Sequence, residues 1–547
     1  MANLQAAIQT IETGLKTKQA GQPVAVRIVA HISADHGRVE PLAAEVLAHA
    51  TAWLGGESDR LTASGSVESG QITTLARIEG GQTALVSAGT CGVGRPLLAI
   101  EVWGNQGFLS WEDDRFEGPS HEELALGDKA TSLLRRIQRS LKSHPVPASS
   151  AKTGTAAGRG DRESRRPPYG VLLVAGDHTH QPGYAEAFSA DKRCRLVGLT
   201  DEANVSPRRK KLNEQLARRL DIPVLADLGR ALARDDVQIV SICAEPIRRG
   251  RIAVLAAQAG KHLYLDKPLA ASLQDADAMV TAVRKSGRVH HMFSQVHDDA
   301  ADRVRRLVES DQLGDLTAIH FDLCFAKGPA GTAKLGAPRE ESKVPQRFEL
   351  VESKRELSNV GVYPLVQLLS LVGRDVKRVT ATTANYFFSE HQKNDMEDFG
   401  QMLLELEGGL VASISVGRTG WRSRPVGGLN RAFLIGTKGC TLVDAHRPRV
   451  EVWADVDPWT PPERNPEDPM GMWATPPGSP FTVMPRQSWI TPPPERNVTD
   501  VSHFLDCIEH GRESIVSAEV AAAATEILMA GYRSAATGKT VTLPLQR

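Results

Sequence analysis

The 547-residue sequence predicts a mixed α/β and α+β protein organised around a doubly wound parallel sheet. Three observations predict it. Residues 169–176 read as an apolar strand entering a glycine turn, and apolar strands follow at 195–200, 237–243 and 262–265 with helical stretches between them. Each of these strands ends on a turn or polar group: Gly176, Asp201, Ala244-Glu245-Pro246 and Asp266-Lys267-Pro268. Hairpin glycines recur on both sides of this unit. Glu79-Gly80-Gly81-Gln82 parallels Glu407-Gly408-Gly409-Leu410, Gly104-Asn105-Gln106-Gly107 parallels Gly436-Thr437-Lys438-Gly439, and each set follows a helix closed by glycine, at Gly55 and Gly373.

Taken in order, residues 1–143 read as an α+β domain, with a strand at 24–29 and a helix at 41–54, that repeats the second domain described below in degenerate form. Residues 144–168, rich in Pro, Gly, Ser and Arg, read as a flexible linker with little to bury. Residues 169–295 form the nucleotide-binding unit and 296–547 an α/β domain. That last domain contains a Pro/Trp-rich insertion at 455–494, which predicts no regular structure and a segment that wraps a neighbouring surface.

Lys267 is the first candidate for chemistry. It follows an apolar strand, where the carboxyl edge of a parallel sheet opens toward a ligand. An ammonium there can hold a hydroxyl or carbonyl, or transfer a proton if desolvated; it can equally be a surface lysine before a turn proline. Asp201, roughly 20 residues beyond the glycine turn, is placed to bind an adenosine ribose. The turn itself reads Gly176-Asp177-His178-Thr179-His180-Gln181, so His178 and Gln181 occupy the places where a G-x-G-x-x-G loop carries glycine. Backbone N–H groups, the helix start and the Thr179 hydroxyl remain available to phosphates. His297 and the charged run Lys354-Arg355-Glu356 are further candidates for substrate contact.

The segment Ala259-Gly260-Lys261-His262-Leu263-Tyr264-Leu265-Asp266-Lys267-Pro268-Leu269 resembles the A-G-K-H-V-x-x-E-K-P-L signature of the glucose-fructose oxidoreductase and inositol dehydrogenase (Gfo/Idh/MocA) family, with Asp266 in place of Glu. Asn359-Val360-Gly361-Val362-Tyr363-Pro364 is similar to the D-x-G-x-Y-P segment of members that use tyrosine, with Asn359 in place of aspartate. The closing stretch from Phe504 to Pro544 is also similar, and the resemblance covers residues 169–547. It implies a Rossmann domain plus a substrate domain with an open, mainly antiparallel sheet. It implies NAD as cofactor, with NADP possible because Arg208 and Arg209 lie near Asp201. The implied reaction is hydride transfer at a secondary alcohol of a sugar, cyclitol or related polyol. Tyr363 and Lys267 would be catalytic, Lys267 polarising the oxygen and lowering the tyrosine pKa, and Asn359 would orient substrate. Gly176, His178, Thr179, Asp201, Ala244, Glu245, Pro246, Asp266 and Lys267 would line the cofactor. The alternatives are a redox-neutral lyase or glycosidase that uses bound NAD transiently, and a non-catalytic ligand-binding or scaffold protein whose nucleotide site has decayed. In the N-terminal copy the counterpart of Tyr363 is Glu45. That copy is expected to stack on the substrate domain as an intrachain pseudo-dimer, with homo-oligomers formed through other surfaces.

Composition narrows the classes. Sixty-five Lys and Arg balance 65 Asp and Glu, which gives no basic footprint for nucleic acid. No apolar run is long enough for a membrane helix, and residues 1–22 lack a signal-peptide core, so a cytoplasmic location is expected. Six scattered cysteines without C-x-x-C spacing predict reduced thiols. His178, His180, His290 and His291 lack carboxylate or thiol ligands at metal spacing, and no metal is expected.

Overall fold

A computed structural model describes residues 4–33, 38–90, 96–113, 126–143, 168–175, 180–328, 331–341, 355–420, 428–453, 487–490 and 498–547, with a few isolated positions between them. The linker, Gly176, His178, Thr179, Lys354 and most of the insertion lie outside the described residues.

The first unit comprises α1 (Leu4–Lys16), β1 (Pro23–Ile32), α2 (Val39–Trp53), β2 (Ser58–Ser66), β3 (Gln71–Ile78), β4 (Thr83–Thr90), β5 (Leu97–Gly104), β6 (Phe108–Asp113) and α3 (Asp128–Ser143). Its six strands lie in the order β2-β3-β4-β1-β5-β6, with β1 parallel to β4 and antiparallel to β5. Alternating side chains give the sheet an apolar face, and Val26, Ile28 and Val86 pack there with Ile8, Leu47 and Ile137 of the three helices.

The central unit comprises β7 (Tyr169–Val174), α4 (Gln181–Ala190), β8 (Cys194–Thr200), α5 (Pro207–Arg219), β9 (Val224–Leu225), α6 (Leu228–Leu232), β10 (Ile239–Ile242), α7 (Pro246–Gln258), β11 (His262–Leu265), α8 (Leu273–Ser286) and β12 (His290–Met292). All its strands are parallel, in the order β12-β11-β10-β7-β8-β9. The order reverses between β7 and β10, which opens a crevice at the carboxyl ends of the strands.

The third unit comprises α9 (Asp299–Glu309), β13 (Leu316–Phe325), α10 (Glu356–Asn359), α11 (Val362–Val372), β14 (Val376–Ala384), α12 (Ser389–Lys393), β15 (Phe399–Leu406), β16 (Val411–Arg418), β17 (Gly428–Gly436), β18 (Cys440–Asp444), β19 (Val450–Trp453), β20 (Gln487–Ile490), α13 (Asp500–Glu509), α14 (Ala518–Thr537) and β21 (Val541–Thr542). Its seven-stranded sheet runs β18-β17-β13-β16-β15-β14-β21 and is antiparallel except for the β13–β16 pair. Two expectations need correction here. Within the insertion, β20 pairs with β19, so that stretch is not devoid of regular structure. After the insertion the chain crosses back: Val501, Phe504, Leu505 and Ile508 of α13 pack with Tyr169 and Tyr184 of the central unit.

The first and third sheets share their strand order once β21 is set aside. They also share irregularities. The register step between Pro23 and Ala25 against β5 recurs between Leu316 and Ala318 against β17, and the step between Ser58 and Arg60 recurs between Val376 and Arg378. The faces without helices lie against each other. Trp103 packs with Phe387, Phe399 and Leu429, and Val29 with Phe433. Leu75 and Leu403, equivalent positions in the two sheets, share one cluster. The equivalent residues Arg27 and His320 each reach a serine of the opposite sheet: Arg27 Nη1 donates to Ser413 Oγ at 2.8 Å, and His320 Nε2 lies 2.9 Å from Ser87 Oγ. Such reciprocal contacts are the signature of a two-fold interface. Buried charge crosses it as well, since Arg431 bonds Asp444 of its own sheet together with Glu101 and Glu112 of the other.

Candidate active site

Two short pieces of chain bring Lys267 and Tyr363 together. The first is the exit of β11, where Asp266 and Lys267 lie directly beyond the parallel strand. Asp266 is anchored on four sides: His180 Nδ1 lies 2.8 Å from Oδ1, Tyr184 donates its hydroxyl at 2.8 Å, Arg249 Nη2 lies at 3.4 Å and Cys243 Sγ at 3.5 Å. Burial opposes its charge, but His180, Arg249 and Lys267 outweigh burial and hold the carboxyl well below the usual range. Asp266 thereby fixes the strand exit to α4 and α7.

The second piece is the joint between α10 and α11. Gly361 sits there because an added Cβ would lie 2.1 Å from the Leu357 carbonyl oxygen, so a larger residue would push the two helices apart. The joint aims Tyr363 at the strand ends and Asn359 at Lys267. Lys267 Nζ donates to the Asn359 backbone oxygen at 2.7 Å and also to its side-chain oxygen. The ammonium lies 5.1 Å from the Tyr363 ring centroid, on its face. Burial pushes the Tyr363 phenol well above 10, with Asp266 and Asp500 adding to the effect and Arg418 opposing it. Desolvation thus dominates over the nearby cations.

Beside Tyr363 a cavity is lined by Gln295, Asp298, Gln367 and Asn430, with Phe321 and Leu323 as its apolar wall. Amide and carboxyl groups of this kind suit hydroxyl partners. Burial pushes the Asp298 carboxyl up to about 6.

Sequence reasoning missed the carboxyl ends of β13 and β16, where Phe325 and Arg418 stand side by side in register. Phe325 meets Tyr363 edge-on with centroids 6.2 Å apart. Arg418 Nε donates to Glu356 Oε1 at 2.8 Å, and Glu356 also receives Asn359 Nδ2 at 3.2 Å. Burial opposes the Glu356 charge, yet Arg418 and His391 bring its pKa down to about 2. The available signal was that ligands gather at the carboxyl ends of parallel strands, and β13–β16 is the parallel pair of this sheet.

Two expected substrate contacts fail. His297 meets His503 with ring centroids 4.5 Å apart and planes tilted by 39°, and burial pushes its imidazole down to about 3. Arg355 is buried between Glu341 and Glu397, with Nε 3.0 Å from Glu397, and lies over the Tyr532 ring at 4.3 Å. An arginine so desolvated keeps its carboxylates rather than a substrate.

In the crevice of the central unit, Asp201 ends β8 as expected, but its carboxylate is already engaged. Oδ2 accepts from Asn213 at 2.8 Å and Oδ1 from Arg248 at 2.7 Å. Glu245 pairs with Arg209 and Arg248 at the start of α7, next to Ala244 and Pro246. Gln181, in the place of the third glycine, is buried and spans to β10, donating to Ser241 O at 3.2 Å and accepting from its hydroxyl at 3.0 Å. The donor set fits a nicotinamide dinucleotide: the first turn of α4 carries no side-chain cap, Asp201 stands at a ribose position, and Lys267 closes the far end. Arg248 beside Asp201 would share that carboxylate with the ribose. Among the described residues no group of three or more His, Cys, Asp and Glu is arranged to hold a metal ion, and no helix is long and apolar enough to cross a membrane. The five cysteines among the described residues are free thiols.

Comparisons with known proteins fall on the same two units. Residues 175–294 match the model of an oxidoreductase family with an NAD-binding Rossmann fold, and residues 301–441 match the GFO/IDH/MocA C-terminal domain; neither match reaches the N-terminal unit. The chain is 26% identical over 225 residues to dTDP-3,4-didehydro-2,6-dideoxy-alpha-D-glucose 3-reductase of Saccharopolyspora spinosa, covering 40% of this chain and 61% of that protein. The Streptomyces antibioticus reductase is covered over 54% of its length, so the match spans less than two thirds of either reductase. With scyllo-inositol 2-dehydrogenase (NAD(+)) of Bacillus subtilis the identity is 23% over 338 residues, 61% of this chain and 86% of that protein. The solved structure of GenD2 from gentamicin A biosynthesis, in complex with NAD, is matched over its whole length and 72% of this chain, with a TM-score of 0.52 and 23% identity, a likeness of fold. Through the Rossmann domain and the open-sheet domain that follows it, the chain belongs to the Gfo/Idh/MocA family of NAD-binding oxidoreductases.

Proposed function

We propose that the chain interconverts a secondary alcohol and the corresponding ketone on a sugar, cyclitol or related polyol, with NAD as the hydride partner. The observation that carries this reading is the placement of the Lys267 ammonium and the Tyr363 phenol together at the exit of β11, beside a cavity lined by amides. When bound, a nicotinamide nucleotide supplies or accepts the hydride. Tyr363 stays protonated at neutral pH because burial raises its pKa, so it acts as the acid that donates its proton to the carbonyl oxygen during reduction. Lys267, held by two neutral oxygens of Asn359, brings its positive charge to that same oxygen and stabilises its developing charge. Asn359 orients the lysine and cannot serve as a base.

The N-terminal unit, in this reading, is a degenerate duplicate of the substrate domain that covers the open sheet as a second subunit would, with boundaries near 1–143, 144–168, 169–295 and 296–547. The shared strand order and the two shared register steps support it.

The test is turnover of ketosugars and inosose with NADH, followed at the nicotinamide absorbance, for the full chain and Lys267→Ala. The variant should lose about 10²-fold or more in kcat while its far-UV circular dichroism is unchanged. Equal turnover in both would remove Lys267 from the reaction.

A further inference from the structure

Asp500 is buried in the first turn of α13, and the helix makes no demand on its carboxylate. Thr499 and Ser502 cap the helix start between them, and Val501, Phe504, Leu505 and Ile508 dock the helix on the central unit. A buried carboxylate is costly to desolvate, and an apolar side chain would dock α13 without that cost. The side chain of Asp500 reaches instead to the exit of β12. There Phe293 N still donates to Leu265 O of β11 at 2.8 Å, but the next two N–H groups, those of Ser294 and Gln295, have Asp500 Oδ2 as their acceptor, at 3.4 and 3.1 Å.

The backbone at this point is turned. Gln295 has a φ of 57°, in the left-handed region that a Cβ disfavours. Successive N–H groups at such a turn form a concavity that receives an anion, and here the protein supplies the anion from another element. The carboxylate is kept charged in that place: burial opposes its charge, but His291, His297 and the Ser294 N–H outweigh burial and hold it below the usual range. His291 Nε2 lies 3.7 Å from Asp500 Oδ1. The turn also decides what faces the cavity beside Tyr363. Ser294, Gln295 and Asp298 all line that cavity, and Asp298 N closes the turn on Gln295 O at 3.2 Å.

We propose that Asp500 is a positioning residue of the candidate site, its carboxylate holding the left-handed turn that presents Gln295 to the cavity beside Tyr363. Gln295 there offers an amide, both donor and acceptor, to a substrate hydroxyl. This rests on that cavity being where the polyol of the proposed reaction binds.

The test uses the full chain, Asp500→Ala, Gln295→Ala and the double variant, each checked by far-UV circular dichroism. Asp500→Ser, too short to reach the two N–H groups, takes the place of Asp500→Ala should that variant not fold. Amide hydrogen exchange needs no ligand. It should speed up by about tenfold or more in a peptide spanning 293–298 of Asp500→Ala, with peptides of β13 and α14 unchanged. Unchanged exchange at 293–298, or a rise of the same size throughout the chain, overturns the inference. The second readout is KM for the ketosugar or inosose that the parent reduces with NADH. Each single variant should raise KM by about tenfold with kcat within about threefold of the parent, and the double variant should go no further than the larger single one, since both remove the same contact. An unchanged KM in Asp500→Ala, or losses that multiply in the double variant, overturns the inference while leaving the proposed reaction intact. A parent chain that reduces neither ketosugar nor inosose sinks the proposed reaction instead, and the exchange pattern alone then decides whether Asp500 holds the turn.

Discussion

The two stacked sheets share order and register, but only one of them sets its helices against the Rossmann unit, where the candidate site lies. In the third unit, α11 begins at a glycine joint and carries Tyr363 toward the strand ends of the Rossmann unit. At the equivalent place in the first unit, α2 carries Glu45, which lies 3.4 Å from His49 one turn along its own helix and is not bonded to a neighbouring domain. The difference teaches that the sheet is a scaffold whose function depends on what faces its helix side. Against a parallel sheet with Lys267 at its edge, the scaffold holds a site; against only its own helices, it holds a core of Leu47, Val86 and Ile137. Its other face is common to both and serves packing.

Removing the first sheet altogether is the largest perturbation. Deletion of residues 1–167 would strip Phe399, Leu403 and Phe433 of their cover. An exposed apolar sheet face demands a substitute. The truncated chain should aggregate or form a new dimer in size-exclusion chromatography with light scattering; a monomer with the parent's melting temperature would show two independent modules.

A smaller break targets the charge that crosses the stack. Arg431→Met leaves Glu101, Glu112 and Asp444 facing one another without their shared guanidinium, and losing one partner of a buried ion cluster costs about 3–5 kcal/mol. Urea denaturation should show a lower midpoint at a constant slope, the shift multiplied by that slope giving the loss. A change under about 1 kcal/mol would mean that water reaches these carboxylates and that the interface is less sealed than the contacts imply.

Much of this comparison was legible in the sequence because glycine and strand ends impose local geometry. The hairpins at Gly80-Gly81 and Gly408-Gly409, and the helix ends at Gly55 and Gly373, mark positions where the backbone must turn, and these align the two sheets before any coordinates are known. Lys267 and Tyr363 were likewise visible, one from its place after a strand and the other from its motif. Long polar side chains were not legible. Arg355 lies in a charged run that suggests substrate contact, yet its partners, Glu341 and Glu397, are 14 and 42 residues away and only the fold brings them together. His297 and His503 meet because α13 crosses back to the central unit, an excursion that no local pattern announces. The partners of Asp266 were not legible either: alternation along the chain does not announce that a carboxylate at a strand exit meets His180 and Tyr184, 86 and 82 residues earlier.

The most direct test of the claim that one copy carries chemistry and the other only packing is a paired measurement at equivalent positions. Steady-state kcat for ketose reduction by NADH should be compared for the full chain, Tyr363→Phe and Glu45→Gln. The account predicts a loss of about 10²-fold or more for Tyr363→Phe, the scale of a lost acid, and a kcat within about twofold of the parent for Glu45→Gln, the outcome of a near-isosteric substitution at a half-buried helix position that leaves the core intact. Unchanged turnover in Tyr363→Phe, or equal losses in the two variants, would contradict it.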